Sequence, residues 1–385
     1  MNKLAIITTH PIQYYAPVFK LLHQRAEINI KVFYTWGEDS ANKYDPGFNK
    51  KIKWDVPLLD GYPYEWVKNS SKDPGTHHFK GIINPGLIKQ VTAWKPDAVL
   101  VYGWGFQSHL KAIRYFKNKI PVLFRGDSNL LDEKKGARSL LRAVFLKWVY
   151  RNVDHAFYVG IHNKAYYKAY GLIDTQLSFA PHAIDIKRFG VDRQNEADLL
   201  RKNFGVSDDE IIVLFAGKLE EKKDPVLLLS AFINLQKAEI HLLFVGNGPL
   251  ELQLKLTAEG NKYIHFMDFQ NQSQMPAVYQ SCDIFCLPSK GPGETWGLAV
   301  NEAMASGKAI LASDKVGSAS DLVKNGENGA IFKAGDLNDL THHLNELIHS
   351  GKKELIKMGK YSKELINDWG VERQVEVIES FIKNG

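Results

Sequence analysis

Short apolar runs recur along the first half of the chain and are separated by stretches of mixed apolar and polar positions. The runs predict buried strands at residues 4–8, 28–34, 98–102, 122–125 and 156–160, and a helix at residues 16–23 follows the first strand. Regular alternation of this kind is typical of a parallel sheet with helices on both faces. Residues 36–79 are rich in glycine, proline and aromatic residues, and we expect long loops or a hairpin there.

A second alternating series starts near residue 211. It predicts strands at residues 211–216, 241–245, 263–267, 283–287 and 309–312, with helices at residues 225–235 and 275–281. A polar run at residues 191–210 separates the two series, and a final helical segment at residues 361–382 is interrupted at Trp369-Gly370. The chain has 385 residues, a length that suggests two domains. We therefore predict two doubly wound, Rossmann-like α/β domains, with a ligand site in the cleft between them.

Composition and charge limit the class of protein further. The longest apolar runs are too short to cross a membrane, and the N-terminus lacks the pattern of a signal peptide, so we expect a cytoplasmic protein. Cys282 and Cys286 are expected to be buried and unpaired, and no metal site is expected. A net charge of +6 without a dense basic block argues against nucleic acid as a partner. It favours anionic substrates, and it leaves peripheral contact with the inner face of an anionic membrane open.

The segment at residues 293–307 carries the most specific chemistry in the chain. Good helix formers from Leu298 to Ser306 predict a helix that ends at Gly307. Glu294 then lies in the loop ahead of this helix and Glu302 lies on its second turn, about 10 Å apart. This separation is wide for an acid/base pair of the glycosidase type. It suits the two ends of an elongated ligand such as a nucleotide sugar, with helix N-terminal amides between them to receive the diphosphate.

Together with the apolar strand and Pro288-Ser289 ahead of it, this segment resembles the E-x7-E motif of the family 4 retaining glycosyltransferases. The resemblance covers residues 211–335 well and the first half loosely, while residues 8–15 resemble the start of some bacterial surface-polysaccharide glycosyltransferases. It implies the GT-B fold, in which two Rossmann-like domains face each other across a cleft. The expected domains are residues 1–190 on the acceptor side, residues 191–365 on the nucleotide-sugar side, and a C-terminal helix at 366–385 that crosses back to the N-terminal domain. The resemblance also implies transfer with retention, a nucleotide-sugar co-substrate, and no metal or other cofactor.

The resemblance places the donor site at the strand ends of the second half. Lys218 and Lys223 would contact the diphosphate, Glu294 would orient the sugar hydroxyls, and Glu302 would hold the ribose. Lys218 stands where the family has arginine, and Asp224 stands where it has glycine; the alternative is a solvated basic loop. The predicted donor-binding residues are Gly217, Lys218, Lys223, Gly246, Phe269, Glu294, Thr295, Trp296, Gly297, Leu298 and Glu302.

The first half offers fewer assignments. If Pro11 takes the first helical position, His10 and Gln13 lie at the mouth of the cleft. Many relatives carry a histidine after a middle strand, where this chain has Asp127, which is either its replacement or a structural cap. His182 is expected to be structural. The predicted acceptor-side residues are His10, Gln13, Tyr14 and Trp104, and the predicted catalytic residues are Glu294, Lys218, Lys223 and Asp127.

Residues 134–151 combine a coherent apolar face with scattered basic residues. We favour a core helix between the domains over a helix that lies on a membrane surface.

The resulting hypothesis is a glycosyltransferase that moves a sugar to a hydroxyl of a carbohydrate or lipid-linked acceptor, in surface polysaccharide or glycoconjugate synthesis. Because neither glutamate is placed as a nucleophile, we expect front-side attack, in which the leaving phosphate accepts the acceptor proton. The alternatives are a nucleotide-sugar 2-epimerase on the same fold and a non-catalytic carbohydrate- or nucleotide-binding protein.

Overall fold

The computed structural model describes residues 2–38, 44–45, 50–51, 53–133 and 136–384. The chain divides into two compact units. Unit 1 consists of Met1–Lys43, Val56–Ala183 and Val371–Gly385, and unit 2 consists of Tyr44–Asp55 and Ile184–Gly370. The main division falls after Ala183, whereas the sequence places it after residue 190. Lys134 and Lys135, with which the predicted basic helix begins, lie outside the described residues.

The strands follow the apolar runs of the sequence and include several short ones that the pattern does not predict. In chain order they are β1 Lys3–Thr8, β2 Asn29–Tyr34, β3 Tyr44–Asp45, β4 Lys50–Lys51, β5 Tyr64–Trp66, β6 Ala98–Tyr102, β7 Val122–Arg125, β8 His155–Tyr158, β9 Leu177–Phe179, β10 Ile211–Ala216, β11 Ile240–Val245, β12 Ile264–Met267, β13 Ile284–Leu287, β14 Ala309–Ser313 and β15 Gly329–Phe332.

The helices alternate with the strands, as expected for doubly wound domains. They are α1 Ala16–Arg25, α2 Leu87–Ala93, α3 Gln107–Phe116, α4 Ala137–Tyr150, α5 Ile161–Ala169, α6 Ile186–Gly190, α7 Gln194–Asn203, α8 Pro225–Leu235, α9 Glu251–Thr257, α10 Met275–Ser281, α11 Leu298–Ala305, α12 Ala319–Leu322, α13 Leu337–His349, α14 Gly351–Ile366 and α15 Val371–Asn384. Short 3-10 helices lie at Phe79–Gly81, Asp174–Gln176, Glu221–Lys223 and Asn367–Trp369. No helix in the described part of the chain is both long and apolar enough to cross a membrane.

Unit 1 is built on a parallel sheet of seven strands in the order β5-β2-β1-β6-β7-β8-β9. One face of this sheet packs against α1 and α15, whose residues Val375 and Ile378 are fully buried in the same core as Phe19. The other face packs a second core that includes Leu146 and Tyr150 of α4. The C-terminal helix therefore belongs to unit 1, and the 3-10 turn Asn367–Trp369 separates it from α14.

Unit 2 is built on a parallel sheet of six strands in the order β12-β11-β10-β13-β14-β15. Its central strand β10 pairs with β11 on one side and with β13 on the other. The direction of winding reverses between β10 and β13, and such a switch point leaves a crevice at the carboxyl ends of the two strands, where open α/β sheets bind ligands.

Two segments differ from the sequence-based expectation. The polar run at 191–210, predicted as the boundary between the two halves, lies inside unit 2 and contains α7, whose Ala197 is buried and whose Arg201 pairs with Asp283 at 3.2 Å. The expectation that α4 is a core helix is wrong for one of its faces. The exposed residues of this face are Leu140, Leu141, Val144, Phe145 and Trp148.

Candidate functional site

The predicted donor residues of unit 2 lie at the carboxyl ends of four adjacent strands. Gly217 and Lys218 follow β10, and Gly246 follows β11. Phe269 follows β12, and the loop that contains Glu294 follows β13. Since parallel strands end at the same edge of their sheet, the fold gathers these separate segments around the switch point between β10 and β13.

An ion pair connects the two loops on either side of this switch point. Nζ of Lys223 donates a hydrogen bond of 2.7 Å to Oε2 of Glu294, and Oγ of Ser289 donates to the same oxygen at 3.0 Å. The main chain joins the loops as well, because the amide of Lys290 donates to the carbonyl of Lys222 at 2.9 Å. The pair thus places one ammonium group and one carboxylate side by side at the predicted diphosphate and sugar positions.

Glu294 is held in its charged form. Its burial opposes ionisation, but the Lys223 ammonium and the hydrogen bonds from Lys223 and Ser289 outweigh burial and lower the pKa of the carboxyl group. A carboxylate that stays ionised accepts hydrogen bonds, as sugar hydroxyl groups require.

The neighbouring residues of the phosphate loop have different surroundings. Nζ of Lys222 lies 3.5 Å from Oε1 of Glu220 in a partly exposed ion pair, and Lys218 is half-buried beside Gly217. Asp224 has a φ of 49°, in the left-handed region, a conformation that suits the glycine which the family resemblance places there. Aspartate is among the residues that tolerate this conformation best.

The glycine turns after β10 and β11 pack main chain against main chain. The amide of Gly217 donates to the carbonyl of Val245 at 2.9 Å, and the amide of Leu219 donates to that of Asn247 at 3.0 Å. Gly246 has a φ of 132°, and a Cβ atom there would lie 2.1 Å from the carbonyl oxygen of Gly217. Only glycine lets these two turns approach each other this closely. The presence of glycine at position 246 is therefore explained by packing.

Helix α11 begins as predicted, directly after Gly297. This glycine has a φ of 89°, and a Cβ atom there would lie 2.8 Å from Cγ1 of Val316 and 3.0 Å from Cδ2 of Leu287. The helix N-terminus, which carries a partial positive charge, therefore follows the Glu294 loop at the sheet edge. The next residue, Leu298, is half-buried, as is Thr295 within the loop.

Glu302 lies on the second turn of α11 and is only 4% exposed. The hydroxyl of Tyr279, on α10, donates a hydrogen bond of 2.8 Å to Oε2 of Glu302. Tyr279 fixes the orientation of this carboxylate, and the sequence reasoning did not single it out. The contact of Glu302 with ribose stays a prediction.

The indole of Trp296 packs inside unit 2. Trp296 is buried, its Nε1 donates to Oδ1 of Asn301 at 2.9 Å, and its ring stacks on Trp369 with centroids 5.3 Å apart. Because the side chain packs inside the protein, the predicted donor contact at this position would be made by the main chain.

A further aromatic residue lies beside Phe269. Trp54 lies in the segment Tyr44–Asp55, which belongs to unit 2. Its ring packs edge to face against Phe269, with ring centroids 6.2 Å apart. The segment is attached through Asn271, whose Nδ2 donates to the carbonyl of Lys53 at 2.7 Å. Sequence reasoning missed Trp54 because it precedes Phe269 by more than two hundred positions and no local pattern links them.

The acceptor-side candidates of unit 1 also lie near strand ends. His10 follows β1, bonds Oγ1 of Thr9 at 2.9 Å through Nδ1, and packs against Trp36 with ring centroids 4.9 Å apart. Trp104 follows β6, the neighbour of β1, and contacts Phe145 edge to face. Winding reverses between β1 and β6, so His10 and Trp104 lie at the switch point of unit 1.

The start of α1 differs from the prediction that Pro11 takes the first helical position. Pro11 does not open the helix: α1 begins at Ala16, after a turn in which the amide of Tyr15 bonds the carbonyl of Ile12 at 2.9 Å. Gln13 and Tyr14 are half-buried within this turn.

Asp127 belongs to a charged cluster at the end of β7. The buried guanidinium of Arg125 donates to the carbonyls of Ala180 and Pro181 at 2.9 and 2.7 Å, which anchors the segment that carries His182. Burial lowers the pKa of His182 to about 4, the nearby Arg125 acts in the same direction, and Asp127 opposes them. His182 is thus a buried neutral side chain, as a structural role requires, and the catalytic role of Asp127 stays a prediction.

Two groups of side chains among the described residues bring three possible metal-ligand atoms within 4.8 Å of one another, namely Asp73, His77 and His78, and His342, His343 and Glu346. Most of these side chains are exposed, and neither group includes a predicted donor residue.

A known family matches the sequence of most of unit 2. Residues 196–365 match the model of the family described as glycosyl transferases group 1. This part of unit 2 is therefore similar to the domain of that family, and the resemblance to glycosyltransferases predicted from the sequence is confirmed.

Two curated proteins illustrate the relationship. The chain is 28% identical over 202 residues to the D-inositol 3-phosphate glycosyltransferase of Rhodococcus erythropolis, a match that covers 48% of this chain and 43% of that protein. It is 33% identical over 142 residues to the phosphatidyl-myo-inositol mannosyltransferase of Mycobacterium leprae, which covers 36% of this chain and 37% of that protein. The matches span less than half the length of these relatives.

Solved structures resemble the whole chain. Anabaena HepE in complex with UDP and glucose has a TM-score of 0.73 at 17% identity, with 100% of both chains covered. Sucrose-phosphate synthase from Thermosynechococcus elongatus has a TM-score of 0.73 at 16% identity, with 100% of this chain and 99% of that chain covered. These likenesses confirm the predicted fold class, an α/β chain with two parallel sheets of the GT-B type.

Proposed function

We propose that this protein is a retaining glycosyltransferase that transfers a sugar from a nucleoside diphosphate to a hydroxyl group of a carbohydrate or lipid-linked acceptor. The observation that carries the proposal is the pairing of Lys223 with Glu294 at the switch point of unit 2. Transfer requires a positive charge beside the departing diphosphate and a hydrogen-bond acceptor beside the sugar. The names of the two curated relatives, both transferases, favour transfer over epimerisation.

In the proposed reaction, Lys218, Lys223 and the N-terminus of α11 stabilise the charge that grows on the diphosphate. Glu294 accepts hydrogen bonds from sugar hydroxyls, and Glu302, oriented by Tyr279, holds the ribose. The acceptor hydroxyl attacks the anomeric carbon on the face from which the diphosphate leaves, and a phosphate oxygen takes its proton, so that the configuration is retained. The lysine side chains and the helix amides neutralise the charge on the diphosphate. We therefore expect turnover to persist when divalent cations are chelated.

The acceptor side of the proposal rests on unit 1. His10 and Trp104 lie at the carboxyl ends of neighbouring strands, where α/β sheets bind ligands. We assign them to the acceptor, with Gln13, Tyr14 and Asp127 as further candidates. The family resemblance leads us to propose a role in surface polysaccharide or glycoconjugate synthesis in the cytoplasm. The net charge of +6 supports peripheral contact with an anionic membrane.

A panel of nucleoside diphosphates and nucleotide sugars tests the proposal by thermal shift, followed by assays of nucleotide release. UDP and UDP-glucose come first, because Anabaena HepE was solved with UDP and glucose. A ligand at 100 times its Kd stabilises the protein by about 2.7 kcal/mol, which a melt detects. Isomerised sugar formed without acceptor would indicate an epimerase, and tight binding without nucleotide release would indicate a binding protein. No shift with any member of the panel would contradict a donor site.

A further inference from the structure

Helix α4 presents large apolar side chains to solvent. Its exposed apolar residues are Leu140, Leu141, Val144, Phe145 and Trp148, which we call the α4 apolar face. Leu141 is 72% exposed and Val144 is 63% exposed. Single exposed apolar residues are ordinary, but a contiguous group on one helix marks an interaction surface.

The α4 apolar face lies opposite the side of the helix that the fold buries. At about 100° per residue, its five members occupy an arc of roughly 140°. Leu146, Val149 and Tyr150 are buried on the other side, where they pack into unit 1. The helix is therefore apolar on two faces. On the outer face Phe145 contacts Trp104, while Leu140, Leu141 and Val144 stay largely exposed.

Basic side chains border the α4 apolar face. Arg138 and Lys147 are exposed and fall on its two sides, and the helix contains no acidic residue. The guanidinium of Arg114, from α3, lies 4.9 Å from the ring centroid of Trp148 and places a further positive charge beside this face. An apolar stripe with tryptophan and a basic border is the pattern of a helix that lies in the interface of an anionic bilayer.

We propose that α4 docks this protein on an anionic lipid surface, with the α4 apolar face turned towards the acyl chains and Arg138 and Lys147 among the headgroups. A second copy of the chain fits less well, because symmetric pairing of this face would bring two basic borders together. This proposal rests on the proposed function, because it assigns a surface to the membrane contact given there. Vesicle binding is measured without donor or acceptor and so does not depend on catalysis. Failure of docking and failure of transferase activity are therefore distinguishable.

Co-sedimentation of the full chain with vesicles tests this proposal. One set of vesicles contains equal parts of phosphatidylglycerol and phosphatidylcholine, and the other contains phosphatidylcholine alone. We expect binding to the anionic set only, with loss of binding in the double variant Leu141→Glu/Val144→Glu. The double variant Arg138→Gln/Lys147→Gln should bind about fivefold more weakly for each charge removed, and raised salt should weaken binding of the unaltered chain.

A matched control lies on α9, where Leu252 and Leu256 are 69% and 62% exposed. The double variant Leu252→Glu/Leu256→Glu makes the same change of charge on a different helix and should bind like the unaltered chain. Thermal melts confirm that each variant folds. The proposal is overturned if the unaltered chain does not sediment with anionic vesicles, binds both sets equally, or is affected as much by the α9 variant. It is also overturned if the α4 variant binds vesicles normally but dissociates a dimer in sedimentation velocity, since the face would then join two copies.

Discussion

Nζ of Lys223 lies 2.7 Å from Oε2 of Glu294, although the two residues are 71 positions apart in the chain. The pair joins two motifs that the sequence assigns separately to the diphosphate and to the sugar. Removing either partner leaves the other charge poorly compensated in a largely buried environment. Variants at the two positions therefore test structure and catalysis together, and each needs a control for folding.

Lys223→Ala should lower turnover by about a hundred- to a thousandfold, because its contact with the diphosphate strengthens as charge develops. It should also destabilise the fold by about 3 kcal/mol, since Glu294 stays buried without its partner. Lys222→Ala is the matched control. Lys222 forms a partly exposed pair with Glu220, so its loss should change stability by at most about 1 kcal/mol and leave turnover nearly unchanged. Steady-state kinetics and melts measure both, and equal damage by the two variants would show that the loop is assigned in the wrong register.

Lys218→Arg should retain substantial activity, because the charge is kept and the family resemblance places arginine at this position. Lys218→Ala should lose about as much turnover as Lys223→Ala, while the ion pair between Lys223 and Glu294 stays intact. Comparing kcat for the two variants, together with their melting temperatures, separates the roles. Full activity of Lys218→Ala would remove Lys218 from the donor site.

Glu302→Ala should weaken the binding of free nucleoside diphosphate, whereas Glu294→Ala should mainly reduce turnover of the sugar donor. The free nucleotide shares the ribose with the donor but lacks the sugar. Tyr279→Phe removes the hydrogen bond that orients Glu302 and should cost about 0.5–1.5 kcal/mol of nucleotide affinity, a two- to tenfold rise in Kd. Calorimetry of nucleotide binding measures all three variants. Equal losses of affinity at Glu294 and Glu302 would contradict the assignment of these roles.

Gly246→Ala should destabilise the protein by about 3 kcal/mol, because the added methyl group collides with the carbonyl oxygen of Gly217. Gly260→Ala is a suitable comparison, since Gly260 also has a positive φ, of 79°, but no atom lies within 4 Å of the added Cβ. Its cost should be about 1 kcal/mol, from backbone strain alone. Denaturant unfolding compares the two, and a cost at Gly246 no larger than at Gly260 would argue against close contact between the glycine turns.

The fold should lose stability as the pH falls from about 6.5 to about 4. Burial lowers the pKa of both His109 and His182 from 6.5 to about 4 in the folded chain. The unfolded chain therefore binds more protons in this range, so acid favours unfolding, and the contribution is fully present only above pH 6.5. Denaturant unfolding at pH 7 and pH 5 measures the difference. A free energy of unfolding that stayed constant or rose towards pH 5 would show that these histidines are not buried in the neutral form.

Periodicity was sufficient to locate several elements closely. Helices α8 and α10 have the predicted bounds, because Pro225 marks the start of the first and an apolar stripe runs the length of each. The donor motifs lie at adjacent strand ends for an equally simple reason. In a parallel sheet every strand ends at the same edge, so residues placed after strands in the sequence are gathered there by the topology.

The sequence alone determined that the chain alternates strands and helices, that its second half carries a glycosyltransferase motif, and which residues follow each strand. Only the tertiary structure decided that Lys223 pairs with Glu294, that Trp296 turns inwards to Trp369, that Trp54 reaches Phe269, and that α4 leaves an apolar face in solvent. The physical reason is the range of the interactions involved. Local patterns show that a helix face is apolar or that a side chain is charged, but its partner is selected by packing between segments that are distant in the chain.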